Sequence, residues 1–333
     1  MDKRIPAVIG IAALAAVPQL GLGNYHLHLL ITVLIWGFVY TSWSVMGRFG
    51  MVSLGHGAFL GVGAYVVTML WNSYGLTPWL GIPAAVAMSM VMALLVGYPC
   101  FRFRIVGHYF ALVTLALGEV VRLTIVGLRD QTGGSLGMTV TAVPDGTSLL
   151  ALQFGERTVF FYVALLVWLF GLWVWRVVDR SMLRYALEAS SEDEDAAASV
   201  GVNVTRAKLA ITMLSAAMTT LGGALYAQYQ MYINPETVSG IGISLQIVFA
   251  VIAGGLFTQL GPTVGAMFTL LLAETLRVSF GHDIHGLDGT VYGLLLVLFI
   301  IYMPKGITGS LAALLTRGRA EPGAPAAGLA PSR

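Results

Sequence analysis

Polar and glycine-rich interruptions divide the chain into ten apolar segments, at 5–22, 27–46, 52–70, 79–100, 107–128, 158–175, 208–229, 243–257, 261–280 and 287–303. Nothing else in the sequence constrains the fold as much. A helix needs roughly 17 to 25 apolar residues to cross a hydrocarbon core about 30 Å thick, whereas barrel strands read as alternations of about ten residues. These runs are continuous, so they predict an all-α polytopic membrane protein with about ten transmembrane or re-entrant helices. A hydrophobic content of 57% and a mean hydropathy of +0.82 exceed what a soluble core of 333 residues needs.

The first segment follows Lys3 and Arg4 as a signal peptide would, but no clear small-x-small cleavage pattern precedes Pro18. The eighth is short and carries Gly254 and Gly255, the pattern of a re-entrant helix. With both termini cytoplasmic, all of the 18 Lys and Arg residues except Arg122, Arg129, Arg157 and Arg277 fall on the inner side, which fixes the orientation by the positive-inside rule. The expected domains are a transmembrane body over 1–315 and a disordered tail over 316–333, rich in Pro, Ala and Gly. A net charge of +2 with scattered basic residues excludes a nucleic-acid partner, and the lone Cys100 excludes an intrachain disulfide.

The longest polar interruption, 179–208, is expected on the cytoplasmic side. Ser191 stands three residues before Glu194, the spacing of a capping box, so a short helix is predicted over Glu192 to Val200. Asp195 falls in its first turn, Ala196 and Ala197 give it a face with almost no side chain, and Gly201 is placed to end it in a left-handed turn.

Within the apolar segments, Ser53, Gly57 and Gly61 recur at four-residue spacing and predict a small-residue packing seam or a solute contact. Gly55 and His56 lie in the same stretch. A histidine at membrane depth points to function, yet no second His, Cys or carboxylate stands at ligand spacing, so neither metal nor cofactor is expected. Glu119 with Arg122, and Glu274 with Arg277, stand three apart and predict structural ion pairs, with proton coupling as the rival role. The fifth segment laid on the ninth aligns Thr114, Glu119 and Arg122 with Thr269, Glu274 and Arg277, a weak internal repeat. Thr132, Gly133 and Gly134 form an outer turn without the Lys of a phosphate loop. No nucleophile, base and orienter converge in the sequence, so the chain is not read as an enzyme.

Five stretches resemble one family in collinear order: GMVSLGHGAFLGVGAY from Gly50, GHYFALVTLALGEVVR, TGGSLGM, the run from Asp195 to Glu236, and IAGGLFTQLGPTVGA. They resemble the permease of branched-chain amino acid ABC importers, of the LivM type. The resemblance implies a multi-pass permease of the bacterial inner membrane. Its implied partners are a LivH-like second permease, two cytoplasmic ATP-binding subunits and an extracytoplasmic binding protein. It also implies that Asp195-Ala196-Ala197 with Gly201 corresponds to the ATPase-docking loop, with Asp where such loops carry Glu. Relatives carry basic residues leading into that loop, whereas this chain reads Glu188 to Ser191 as Glu-Ala-Ser-Ser. The implied solute is a branched-chain amino acid, with urea, amides or aromatic acids as alternatives within the family. A proton-coupled secondary carrier is the rival from another class.

Overall fold

The computed structural model describes residues 10, 12–21, 23–144, 146–280, 287–302 and 306–310. Residues 5–9, 11 and 22 of the first apolar segment and the whole tail at 316–333 lie outside the described residues, as does the side chain of Arg277. Twelve of the helices among the described residues form the bundle and its ends. They are α1 Asn24–Gly47, α2 His56–Tyr74, α3 Pro78–Arg102, α4 His108–Gly127, α5 Arg157–Arg180, α6 Met182–Glu192, α7 Glu194–Ser199, α8 Val204–Gln230, α9 Pro235–Ser239, α10 Ile241–Gly254, α11 Gly261–Phe280 and α12 Leu287–Tyr302. Six stretches among the described residues are long and apolar enough to cross a membrane: α1, α3, α4, α5, α8 and the run Pro235–Gly254. The protein is an all-α, multi-pass membrane protein.

Helix α1 is apolar all round and stands at the centre. Of its most apolar window 78% is buried by the rest of the chain, against 28% for α3 and α4, which form the periphery. Phe160, Phe161, Ala164 and Trp168 of α5 pack on Leu27, Ile31 and Ile35 of α1. On another face of α1, Val39, Tyr40 and Trp43 join Leu60 and Ala64 of α2 in a core that continues through Ala227 of α8 to Ile247 and Val251 of α10.

Helices α2 and α8 cross in close contact. A β-carbon on Gly63 would stand 2.0 Å from the Thr220 carbonyl oxygen, and one on Gly223 would stand 2.1 Å from that of Leu60. The two contacts are reciprocal, so each backbone rests on the other where lipid supplies no hydrophobic force to hold helices together. Helices α10 and α11 form a second close pair, with Gly254 against the Gly261 carbonyl and Gly265 against that of Ala250.

Among the described residues, loops gather at the two ends of the bundle. At one, called here the loop end, lie residues 48–55, 103–107 and 181–203. At the other, the strand pair Met138–Thr139 and Tyr232–Ile233 is antiparallel and pins the 133–156 segment to the end of α8. Trp71, Asn72 and Trp79 hold the same segment through hydrogen bonds to Thr139, Thr141 and Leu149.

Two sequence expectations require correction here. The helix expected from residue 52 begins only at His56, so Ser53 does not share a helical face with Gly57 and Gly61. Apolar content alone ran the segment through a turn that Trp43 holds open by donating from Nε1 to the Ser53 carbonyl at 2.8 Å. The helix expected to start at a Ser191 cap also does not form that way. Residue Ser191 belongs to the last turn of α6, where its hydroxyl donates to the Glu188 carbonyl at 2.7 Å. Asp193 is the actual cap of α7, its Oδ1 accepting from the amides of Asp195 at 2.8 Å and Ala196 at 3.0 Å.

Candidate functional site

Helix α7 is six residues long and is held at the loop end by ion pairs to its surroundings. Glu194, with its carboxylate partly covered, bonds the ammonium of buried Lys208 on α8. Asp195 takes Nη1 of Arg104, in the joint between α3 and α4, at 2.8 Å with both side chains exposed. The preceding α6 is fixed by a separate network in which Arg184 donates from Nε to Glu188 at 2.6 Å and lies 3.2 Å from Asp179. Arg48, which follows α1, reaches the same Asp179 at 3.2 Å and lays its guanidinium 4.1 Å over the Trp175 ring. The hydrogen bond to Glu188, with Asp179 beside it, raises the Arg184 pKa above its ordinary value. Burial lowers that of Arg48, and Asp179 opposes the shift.

The alanine face of α7 divides between the chain itself and the outside. Ala197 is 4% exposed, packed against the body of the protein, whereas Ala196, Ala198 and Val200 are exposed. Gly201 follows with φ +93°, a left-handed conformation that L side chains rarely adopt. Glu192, Asp193 and Asp195 are exposed as well, so the outward surface of this corner is small, acidic and rigid. A cleft of about 430 Å³ opens beside it, lined among others by Phe101, Arg104, Phe110, Glu194 and Lys208.

Deeper in the bundle, His56 is 1% exposed at the start of α2. Ser215 of α8 donates its one hydroxyl proton to the Ser42 carbonyl at 2.7 Å, so its 2.8 Å contact with His56 Nε2 needs the imidazole to donate. Nδ1 then accepts from the Ser53 hydroxyl at 3.1 Å. The ring thus carries a proton on Nε2, with both nitrogens engaged, and it ties the 53–55 turn to α1 and α8. Thr114 of α4 supports the same turn by accepting from the Leu54 amide at 3.0 Å.

The glycines beside His56 stand where backbones meet. A β-carbon on Gly55 would lie 2.3 Å from the Thr114 carbonyl oxygen, one on Gly57 2.8 Å from Ser244 Oγ, and one on Gly61 2.7 Å from Ser239 Cβ. These contacts bring α9 and α10 against the first turns of α2. Thr132, at the opposite end, donates to the Ile125 carbonyl at 2.6 Å in a turn where Gly133 has φ +75° and no room for a side chain.

Arg122 donates from Nε and Nη2 to both oxygens of Glu119, the former at 2.9 Å. A third partner could not be read from the sequence: Nη1 reaches Glu236 of α9 at 2.7 Å. Glu274 accepts from the Tyr25 hydroxyl at 2.8 Å, and the Arg277 side chain lies outside the described residues. The Lys208, Arg104, Arg48 and Glu236 contacts were all missed from sequence: the last three join residues far apart in the chain, and the Lys208 pair spans 14 residues across the turn between α7 and α8.

Residues 25–302 match the family model described as the permease component of branched-chain amino acid transport systems. The chain belongs to that family. It is 32% identical over 286 residues to the high-affinity branched-chain amino acid transport system permease protein LivM of Salmonella typhimurium, and 32% identical over 283 residues to LivM of Escherichia coli. Each match covers 79% of this chain and 65% of the relative, so the chain spans about two thirds of the length of these proteins. A probable LivH permease of Methanocaldococcus jannaschii is 24% identical over 261 residues, covering 76% of this chain and 81% of that one. No solved structure matches.

Proposed function

We propose that this family member is the permease subunit of an ATP-driven importer for branched-chain, hydrophobic amino acids in a bacterial inner membrane. It has about ten membrane helices, both termini in the cytoplasm, a membrane body over 1–315 and a tail over 316–333. A LivH-like second permease completes the path, two cytoplasmic ATP-binding subunits drive it, and an extracytoplasmic binding protein delivers the solute. The loop end faces the cytoplasm, and α7, with Ser191, Glu194, Asp195, Ala196, Ala197 and Gly201 in or beside it, is the ATPase-docking element. Ser53, Gly55, His56, Gly57 and Gly61 are packing groups, Thr132 to Gly134 shape an outer turn, and Glu119 holds Arg122 in place.

The family match over 25–302 carries this reading. The physical support for docking is the corner itself: a short capped helix tethered by ion pairs to α8 and to the α3–α4 joint transmits a push instead of bending under it. Its exposed Glu192, Asp193 and Asp195 call for a basic groove on the ATP-binding subunit.

The burial of Ala197 decides how to test it. Ala197→Arg disrupts the chain's own packing and tests folding, whereas Ala198→Arg puts bulk and positive charge on the exposed face. The expected result for Ala198→Arg is a normal membrane level with loss of ATP-binding subunits on copurification and loss of leucine uptake. Full retention of both would sink the docking reading. Competition of labelled leucine uptake by isoleucine, valine, urea and phenylalanine identifies the solute class.

A further inference from the structure

Glu119 and Arg122 are the twelfth and fifteenth residues of the 20-residue α4. At 1.5 Å per residue α4 is about 30 Å long, so Glu119 falls about 2 Å and Arg122 about 7 Å from its midpoint, both within a hydrocarbon core of that thickness. Their side chains are nevertheless 34% and 23% exposed on this chain. Glu236, bonded to the same guanidinium, is 72% exposed, and its neighbour Thr237 is exposed too. Helix α9 itself sits deep, because Ser239 touches Gly61 within the second turn of α2. Charged groups facing lipid at that depth are strongly unfavourable, so this polar strip borders water or protein.

The chemistry of the strip narrows the choice. Two carboxylates share one guanidinium, leaving an excess negative charge, and the two Glu residues are not equivalent. Glu119 is held through both oxygens by Nε and Nη2, whereas Glu236 has a single bond, to Nη1, and stands in the open. A zwitterionic amino acid can exchange into this arrangement without losing an ion pair: its carboxylate takes Nη1 from Glu236, and the released Glu236 takes its ammonium. Such contacts involve only the groups common to all α-amino acids, so selection among side chains lies elsewhere.

We propose that Glu119, Arg122 and Glu236 form a station in a water-accessible translocation path that engages the ammonium and carboxylate of an amino acid in transit. The inference rests on the amino-acid importer reading above. Glu236 is the contacting residue that can be changed without disturbing packing, since its side chain lies at the surface.

The test uses the complete transporter, with its binding protein and ATP-binding subunits, in proteoliposomes. Glu236→Gln is expected to lower leucine uptake about tenfold, the loss of one charge-assisted hydrogen bond, with ATP hydrolysis and binding-protein affinity retained. Glu236→Asp should recover most of the uptake. In Glu236→Cys, a membrane-impermeant methanethiosulfonate should label the new thiol, leucine should slow the labelling, and buried Cys100 should stay unreactive. Unaltered uptake in Glu236→Gln, or a thiol that cannot be labelled, would overturn the station. Loss of uptake in proportion to lost binding-protein affinity would overturn it too, by making Glu236 a docking contact. A wild-type transporter that takes up no leucine in response to ATP would instead overturn the importer reading, and the labelling result would stand apart from it.

Discussion

The α2–α8 crossing makes a quantitative prediction through Gly223→Ala. The added methyl would stand 2.1 Å from the Leu60 carbonyl oxygen, where ordinary contact begins at 3.4 Å, so the helices must separate locally by about 1.3 Å. The obstacle is backbone and cannot rotate away. Separation of that size forfeits a quarter to a half or more of the dispersion attraction along the seam, and overpacking of this kind costs about 1–3 kcal/mol. The upper end applies here, about 3 kcal/mol, or roughly a hundredfold in the ratio of folded to unfolded protein. Gly242→Ala is the matched control. It makes the same change in the first turn of α10, at a position with nothing within 4 Å, where helix propensity favours alanine by up to about 1 kcal/mol. Equilibrium unfolding in mixed micelles titrated with dodecyl sulfate should separate the variants in opposite directions from wild type. Equal stability of the two would refute the claim that the reciprocal glycines set the helix distance.

Three further outcomes follow from the sites. Asp193→Ala removes the cap of α7 and should cost about 1 kcal/mol locally, seen as faster amide exchange at Asp195 and Ala196 with the membrane helices unaffected. Gly201→Val forces a branched residue into φ +93° and should cost about 1–2 kcal/mol, lowering ATPase copurification more than membrane level. Glu119→Gln removes the charge and turns one of the two oxygens that Arg122 bonds into a donor, and should reduce the amount of folded protein while leaving the pH dependence of uptake unchanged; a shift of the optimum at normal protein level would favour proton coupling.

How far the fold can be read from the sequence depends on the range of the interaction. Long apolar runs report the membrane directly, and helices such as α3 and α8 lie close to the segments expected for them. The ends differ where polar side chains continue a helix beyond its apolar run: α5 extends to Arg180 because Arg176 and Arg180 can bury their stems and keep their charges at the membrane boundary. The Ser191 box was a local signal outcompeted by packing. Leu183 and Leu187 anchor α6 in the core at the loop end, which draws Ser191 into its final turn and leaves the cap to Asp193. Partners across the fold carry no local signature. His56 finds Ser215 after 159 residues, and Arg122 finds Glu236 after 114, so the sequence showed two polar residues at membrane depth without what neutralises or occupies them.

The ion pairs around α6 and α7 attach that corner to four parts of the molecule: α8 through Lys208, the α3–α4 joint through Arg104, and the ends of α1 and α5 through Arg48 and Asp179. Such an attachment behaves like a guyed mast. Cutting the solvent-exposed Arg104 guy removes little, because an exposed pair contributes at most about 1 kcal/mol. With that guy gone, however, α7 keeps the Lys208 pair and the packing of Ala197, and further damage at Lys208 should cost more than the two losses taken separately. The corner is therefore tolerant of one lost contact and intolerant of two, so faults in it can accumulate silently before transport fails.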